Sequence, residues 1–250
     1  MSLQQKIHKI VSQIPDGKFL TYKKVAKLAG QPLAYRAVAN ILARNRDTQI
    51  PCHRVIRSDN LIGGYFGSEK LGWKKSALLL KEGAIGVIPT DTVYGICAPA
   101  LNKKSVEKVY ALKKRDPQKP FIVLISSLED LKLFGVKINK QINKSFSRFW
   151  PGKTSVILKC PNHKFSYLHR GTKTLAFRMP KQQKILKILS VSGPLVAPSA
   201  NWEGYKLAKN IASAKKYFGN EVFYLNYGEI SGKPSTLIDL TSLPLKIIRR

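Results

Sequence analysis

The sequence predicts two domains: a small, mainly helical domain containing a helix-turn-helix, and then an α/β domain with an open sheet. Apolar residues follow helical spacing up to about residue 83, and after it they form short strand-length runs that alternate with helices. A length of 250 residues permits either one large domain or two smaller ones. The change of pattern indicates two domains, over residues 1–82 and 83–250.

The helix-turn-helix is predicted from helix start and stop signals in the first domain. Apolar residues recur at helical spacing over 3–14. Thr21 is a suitable N-cap for a helix over 22–29, and Pro32 suits the opening of the next helix over 33–44. Two short helices joined by a Gly-Gln-Pro turn are typical of this motif.

The second domain is predicted from apolar runs that have the length of buried strands. Helices are expected over 105–113 and 211–218, and Gly219 ends the second of them. The predicted strands are 84–88, 121–125, 155–158, 195–197, 222–225 and 236–240.

One predicted helix, over residues 73–82, closes the first domain and leads directly into the first strand of the second. No Gly-, Pro- or Ser-rich linker separates the two halves. We therefore expect the domains to be rigidly coupled through this shared helix.

The net charge of +30, from 44 Lys and Arg against 14 Asp and Glu, favours a polyanionic partner such as nucleic acid. A general bias toward lysine is the alternative, because the lysines are spread along the whole chain. The start of the chain lacks a signal-peptide pattern, and no apolar run is long enough to span a bilayer. We expect a cytoplasmic protein without a membrane partner.

Cysteine usage also favours a reducing compartment. Cys52, Cys97 and Cys160 are odd in number and widely spaced, which argues against a disulfide framework and against a zinc site. We expect no tightly bound metal or prosthetic group.

The first motif with chemical meaning is Pro-Cys-His-Arg-Val-Ile at 51–56. A thiol becomes a nucleophile when a neighbour removes its proton and positive charge stabilises the thiolate. A Cys-His pair alone is more often an inert buried cysteine beside a surface histidine. Here the hexapeptide follows a helix-turn-helix and precedes Gly-Gly-Tyr at 63–65 and Leu-Leu-Leu-Lys-Glu-Gly at 78–83, and that combination is specific.

Residues 3–83 resemble the DNA-binding, catalytic domain of O6-alkylguanine-DNA alkyltransferases, which implies a winged helix-turn-helix. The resemblance implies that Cys52 accepts the alkyl group, that His53 is a base linked to it by water, and that Glu82 orients the histidine. Asn45 would brace the active-site turn. Such proteins extrude the damaged guanine of duplex DNA into a pocket and transfer its alkyl group irreversibly.

The same resemblance implies three DNA-binding residues. Tyr22 would crowd the target phosphate, Arg36 would fill the gap left by the extruded base, and Tyr65 would line the pocket. Phe66 and Ala39 depart from the family pattern, which leaves the alkyl preference open. The alternative is a module that binds the lesion without repairing it. Such modules lack the cysteine, so Cys52 favours transfer.

The second half contains no phosphate-binding P-loop, because no glycine precedes Gly152-Lys153-Thr154 at the required spacing. Four polar loops adjoin predicted strands and helices instead, at 89–95, 113–120, 198–201 and 234–236. Each is unremarkable alone. Loops at strand ends are nevertheless where open α/β sheets bind ligands.

Together these loops resemble the YrdC-type threonylcarbamoyl-AMP synthases from about residue 75 to the end, which implies a twisted, mostly mixed open sheet. The implied reaction converts L-threonine, bicarbonate and ATP with Mg²⁺ into threonylcarbamoyl-AMP and pyrophosphate, upstream of tRNA-modification partners. Asn201 would complete the catalytic loop with Lys113, Arg115 and Ser199. The implied ligand-binding residues are Lys113, Arg115, Thr174, Ser199 and Arg249 for ATP, and Thr92, Arg178 and Ser235 for threonine.

These residue types suit that chemistry. Fixed cations must neutralise the charge of the triphosphate, and a guanidinium such as Arg178 is a two-pronged donor for a carboxylate. Leu207 replaces a small or hydroxyl residue often found in the family. The rival hypothesis is a basic RNA-binding module without catalysis, which would not require Lys113, Arg115, Ser199 and Asn201 together.

Overall fold

The computed structural model describes residues 1–62, 69–138, 146–242 and 245–249, and the predicted pocket residues Tyr65 and Phe66 lie outside these ranges. In the described residues, no helix combines the length and the apolar character needed to cross a membrane. The N-terminal helices are α1 (Leu3–Ser12), α2 (Tyr22–Leu28), α3 (Tyr35–Arg44) and α4 (Glu69–Lys81). Those that follow are α5 (Lys103–Lys113), α6 (Ser166–His169), α7 (Gln183–Ser192) and α8 (Ile211–Phe218).

Helix α2 begins at its predicted side-chain cap. Thr21 Oγ1 accepts a hydrogen bond from Lys24 N and so starts α2, and Gly30 follows that helix with a φ of +81°. The helix predicted over 33–44 begins later, at Tyr35, because the preceding residues form a turn. The cores of α1, α2 and α3 pack together around Ile7, Val25 and Val38.

The strands are β1 (Leu20–Thr21), β2 (Val55–Ile56), β3 (Leu61–Ile62), β4 (Gly86–Pro89), β5 (Tyr94–Pro99), β6 (Ile122–Leu124), β7 (Thr154–Lys159), β8 (Thr174–Arg178), β9 (Leu195–Val196), β10 (Phe223–Leu225), β11 (Thr236–Asp239) and β12 (Lys246–Arg249). Strands β1 and β2 pair by themselves in the N-terminal domain. The other described strands form one mixed sheet in the order β12-β11-β7-β8-β6-β9-β5-β4-β10-β3. The predicted fold class, a helical domain followed by an α/β domain with a mixed sheet, is confirmed.

The sheet includes a strand from the N-terminal half, which the sequence did not predict. Strand β3 pairs in parallel with β10, so Leu61 lies opposite Tyr224. The preceding Asn60 has a φ of +57°, and its Nδ2 donates to Asn220 O (3.0 Å) and Val222 O (3.1 Å). Asparagine tolerates this left-handed conformation, and the two hydrogen bonds hold the strand at the sheet edge.

A continuous apolar cluster joins the two halves. Helix α4 packs on α7, and the cluster extends from Trp73 and Leu80 of α4 to Ile188 of α7 and Phe223 of β10. The Phe223 ring lies across Gly86, where a Cβ would come within 2.2 Å of it, so this position requires glycine. The halves therefore share part of their core.

Candidate active sites

The first site lies where α3, a single 3₁₀ turn over Cys52–Arg54 and α4 meet. Asn45 is the residue after α3, and its Nδ2 donates to Asp47 O (2.7 Å) and to Cys52 Sγ (3.3 Å). The asparagine thus ties the end of α3 to the turn that carries the thiol.

Glu82, directly after α4, holds the two basic residues that follow Cys52. His53 Nε2 lies 2.6 Å from Glu82 Oε1, and Arg54 Nε donates to Glu82 Oε2 at 2.8 Å. Burial opposes ionisation of Glu82, but the hydrogen bonds from Arg54 and His53 outweigh it and hold its pKa below the usual value. A fixed carboxylate orients the histidine ring beside the thiol.

Lys75 also belongs to this site, although the sequence motifs did not identify it. Its Nζ donates to Val55 O, and burial lowers its pKa to about 8. Lys75 precedes Glu82 by seven residues, which are two helical turns, so the periodicity of α4 already places both on one face.

The thiol of Cys52 is half-buried and is a poor nucleophile unless a base removes its proton. Burial raises its pKa, against the hydrogen bond from Asn45 and the positive charge of Lys75. The thiol opens into a cavity of about 550 Å³ whose lining includes Tyr22, His53 and Lys75. The cavity has room for an extruded base.

Of the three predicted DNA-binding residues, two can be located. Tyr22 lines the cavity, with the Lys75 ammonium 5.7 Å from its ring centroid. Arg36 is exposed on α3, one turn before Ala39, which also lines the cavity. Tyr65 lies outside the described residues.

The second site forms where α5 ends against the loop after β9. The Lys113 side chain is buried, and its Nζ donates to Ser199 O and Asn201 O, both at 2.6 Å. Ser199 Oγ donates to Asn201 Oδ1 at 2.6 Å, and Asn201 Nδ2 donates to Tyr205 O at 2.6 Å. The structure therefore brings these three predicted residues into one hydrogen-bonded unit.

Burial and the neighbouring Arg115 lower the pKa of Lys113 to about 7, although the Glu203 carboxylate acts in the opposite direction. Arg115 Nε donates to Lys119 O (3.2 Å), and its guanidinium lies 3.9 Å from Glu203 Oε1. Glu203 also accepts from Asp116 N at 2.8 Å. Glu203 thus holds the basic loop in place. The sequence motifs did not identify it, although its position two residues after Asn201 could have done so.

The predicted threonine residues lie around the turn between β4 and β5. Arg178 ends β8, where its Nη1 donates to Thr92 Oγ1 (3.1 Å) and its Nη2 to Asp91 Oδ1 (2.9 Å). Burial lowers the pKa of Arg178 despite the Asp91 carboxylate. The backbone of Gly232 packs on this turn so closely that a Cβ would lie 1.8 Å from Thr92 O.

Ser235 and Arg249 lie beside Arg178. Arg249 Nη2 donates to Ser235 O at 2.8 Å, and its charge is close enough to contribute to the lowered pKa of Arg178. Ser235 Oγ is 2.9 Å from Ser155 Oγ. Arg249, predicted to bind ATP, is therefore grouped with the predicted threonine residues.

Thr174 begins β8, the strand that Arg178 ends, and its hydroxyl donates to Thr172 Oγ1 at 3.2 Å. Gly95 connects the two groups of this site, because it forms a β-bridge with Ser199 and lies against the methyl group of Thr90. Among the described residues, no cluster of three or more His, Cys, Asp or Glu is arranged to hold a metal ion.

Comparison with known proteins matches both halves. The Sua5/YciO/YrdC family model, described as telomere recombination, matches residues 78–250. The model described as 6-O-methylguanine DNA methyltransferase, DNA binding domain, matches residues 2–84. The two matches overlap at the end of α4.

Curated relatives and a solved structure match mainly the second half. Threonylcarbamoyl-AMP synthase of Pyrococcus abyssi is 32% identical over 177 residues, which are 70% of this chain and 52% of the relative. The Bacillus subtilis synthase is 36% identical over 132 residues, 52% of this chain and 38% of the relative. The crystal structure of P. abyssi Sua5 complexed with L-threonine superposes with a TM-score of 0.67 at 31% identity, covering 73% of this chain and 54% of that one. The chain thus spans about half or less of the length of these relatives.

These matches agree with the two halves of the fold. The chain belongs to the Sua5/YciO/YrdC family and carries at its N-terminus a 6-O-methylguanine DNA methyltransferase DNA-binding domain.

Proposed function

We propose that the chain is a bifunctional enzyme that repairs O6-alkylguanine in duplex DNA and synthesises threonylcarbamoyl-AMP. The main support for the synthase activity is the buried Lys113, whose ammonium donates to Ser199 O and Asn201 O. Cys52, with Asn45 on its sulfur and a paired His53 and Glu82 beside it, supports the alkyltransferase. We propose 1–82 and 83–250 as the domains, with α4 belonging to both.

For alkyl transfer, the thiolate of Cys52 attacks the alkyl carbon, so that the S–C bond forms as the C–O6 bond of guanine breaks. The raised pKa of Cys52 requires a base, and His53, acting through a water and oriented by Glu82, is that base. Tyr22, Arg36 and Tyr65 would hold the DNA while the base occupies the cavity. Because the sulfur keeps the alkyl group, each molecule reacts once.

For the synthase, threonine amine and bicarbonate give a carbamate and water, and a carbamate oxygen then attacks the α-phosphorus of ATP as pyrophosphate leaves. Lys113 and Arg115 neutralise charge on the phosphates, with Thr174, Ser199 and Arg249 completing the ATP contacts. Thr92, Arg178 and Ser235 bind threonine. Magnesium would enter with the triphosphate, whose oxygens are ligands that this ion prefers.

The L-threonine complex of P. abyssi Sua5 supports threonine as the amino acid. We place the protein in the cytoplasm, where a thiol such as Cys52 stays reduced and where tRNA-modification partners would consume the product. The alternative remains a lesion-binding module fused to an RNA-binding module.

Two assays on the whole chain test the proposal. Pyrophosphate release from ATP should depend on both threonine and bicarbonate. Incubation with duplex DNA containing O6-methylguanine should add one methyl group to the peptide carrying Cys52. Threonine-independent or absent release would refute the synthase, and tight lesion binding with unchanged protein mass would leave only lesion binding.

A further inference from the structure

The ion pair between Asp91 and Arg178 is buried and incomplete. The two side chains are 8% and 6% exposed, and Asp91 Oδ1 accepts from Arg178 Nη2 at 2.9 Å. Asp91 Oδ2 and Arg178 Nε are buried without a hydrogen-bond partner in the part of the chain that the structure describes. Buried charged groups are rarely left unsatisfied, so one free acceptor and one free donor on the two members of an ion pair indicate a ligand.

The neighbouring Thr92 hydroxyl holds a second nitrogen of the guanidinium. Thr92 Oγ1 accepts from Arg178 Nη1 at 3.1 Å and lies 3.0 Å from Thr90 Oγ1. Thr90 Oγ1 donates to Val93 O and accepts from the backbone N–H groups of Thr92 and Val93. Both terminal nitrogens of Arg178 are therefore engaged, and Asp91 Oδ2 remains a free acceptor among the described residues.

We propose that Asp91 binds the α-amino group of the amino-acid substrate, while Arg178 takes the α-carboxylate through Nε. This inference rests on the proposed synthase function and adds a residue that determines substrate specificity. An α-amino acid carries a donor and an acceptor on one carbon, and the joined side chains of Asp91 and Arg178 carry one free acceptor and one free donor. Carbamoylation leaves one N–H on the nitrogen, so the contact with Asp91 persists in the carbamate.

The structure thereby changes the expected role of Arg178. A substrate carboxylate bound to both Nη1 and Nη2 of Arg178 would compete with Thr92 and Asp91. Each of these nitrogens already donates one of its protons, Nη1 to Thr92 and Nη2 to Asp91. Binding through Nε leaves the ion pair intact. Asp91 then has two effects, since it orients the guanidinium and accepts from the amine.

The two effects can be separated by changing the ligand together with the residue. Calorimetric titrations use the full chain saturated with a non-hydrolysable ATP analogue. The ligands are L-threonine and 2,3-dihydroxybutanoate, in which a hydroxyl replaces the amine. The wild type should prefer threonine by on the order of ten- to a hundredfold, the usual range for a hydrogen bond to a charged group.

In Asp91→Asn, threonine should bind weaker by a similar factor and the preference over 2,3-dihydroxybutanoate should nearly vanish. Asp91→Glu, which retains the carboxylate, should keep most of the preference. Asp239→Asn is the matched control, because this carboxylate lies on β11 and accepts from Thr241 N, outside the predicted threonine site. Circular dichroism checks that each variant is folded.

If Asp91 only supported Arg178, Asp91→Asn would weaken both ligands equally, and the unchanged preference would overturn the inference while leaving the synthase intact. A wild type that binds neither ligand and releases no pyrophosphate would overturn the proposed function as well. The two failures are therefore distinguishable.

Discussion

Phe223→Ala should destabilise both halves of the protein together. The Phe223 ring is fully buried, meets Phe19 of the N-terminal domain edge to face at 6.4 Å, and covers Gly86 of β4. Truncating a buried phenylalanine typically costs about 3 to 5 kcal/mol, a large part of a domain's roughly 5 to 15 kcal/mol. For a chain of this size, that corresponds to a fall in Tm of roughly 6 to 20 °C.

The assay is differential scanning calorimetry, with residual alkyl transfer and residual pyrophosphate release measured after heating. Because the apolar cluster runs from α4 to β10, we expect one transition, at which both activities disappear. Phe165→Ala is the matched control, since this buried ring packs on Phe134 within the second domain alone. In a single cooperative unit, this variant should also lower the temperature at which alkyl transfer is lost.

Independent domains would behave differently. Phe165→Ala would then shift only the loss of pyrophosphate release, and the calorimetric trace would resolve into two transitions. Stable, active fragments 1–72 and 84–250 would refute the shared core equally well, because both fragments lack residues 73–83 and therefore most of α4.

Three further predictions concern the two sites. Cys52→Ser should abolish methyl transfer, seen as an unchanged protein mass, yet keep lesion binding in a gel-shift assay; loss of binding in a folded variant would contradict it. Lys113→Ala or Arg115→Ala should each lower threonine-dependent pyrophosphate release about a hundredfold, since charge stabilisation at such positions is worth about 3 kcal/mol, and should spare alkyl transfer. Because the pKa of Lys113 is lowered to about 7, its ammonium loses its proton as pH rises through that value, so affinity for an ATP analogue should fall between pH 7 and 9. Lys113→Arg should remove this decline. Equal pH profiles for the wild type and the variant would refute a role of the Lys113 charge in ATP binding.

The sequence predicted the elements whose signals are local. Helix α8 has the predicted bounds because Asn210 caps it and Gly219 follows it. Strands β5 and β8 were not predicted. Strand β5 contains glycine and proline among its six residues, which lowers strand propensity, and its burial comes from neighbours on both sides.

Long-range pairing was also beyond sequence patterns. Strand β3 is two residues long, and its partner β10 lies about 160 positions later, so only the folded chain reveals that the first domain extends the sheet of the second. Asp91 was not identified from the sequence as a site residue for a related reason. Its unsatisfied oxygen is defined by Arg178, a residue far along the chain, and not by its own neighbours.

The shared helix explains why the junction contains no linker. One side of α4 presents Lys75 to the cysteine site and leads into Glu82, while Trp73 and Leu80 pack into the cluster that includes α7. A helix buried on both sides cannot be duplicated or lengthened without disturbing one of its partners. Separation of the two activities would therefore require a second helix, and a flexible insertion between α4 and β4 would move Glu82 relative to the first strand of the sheet.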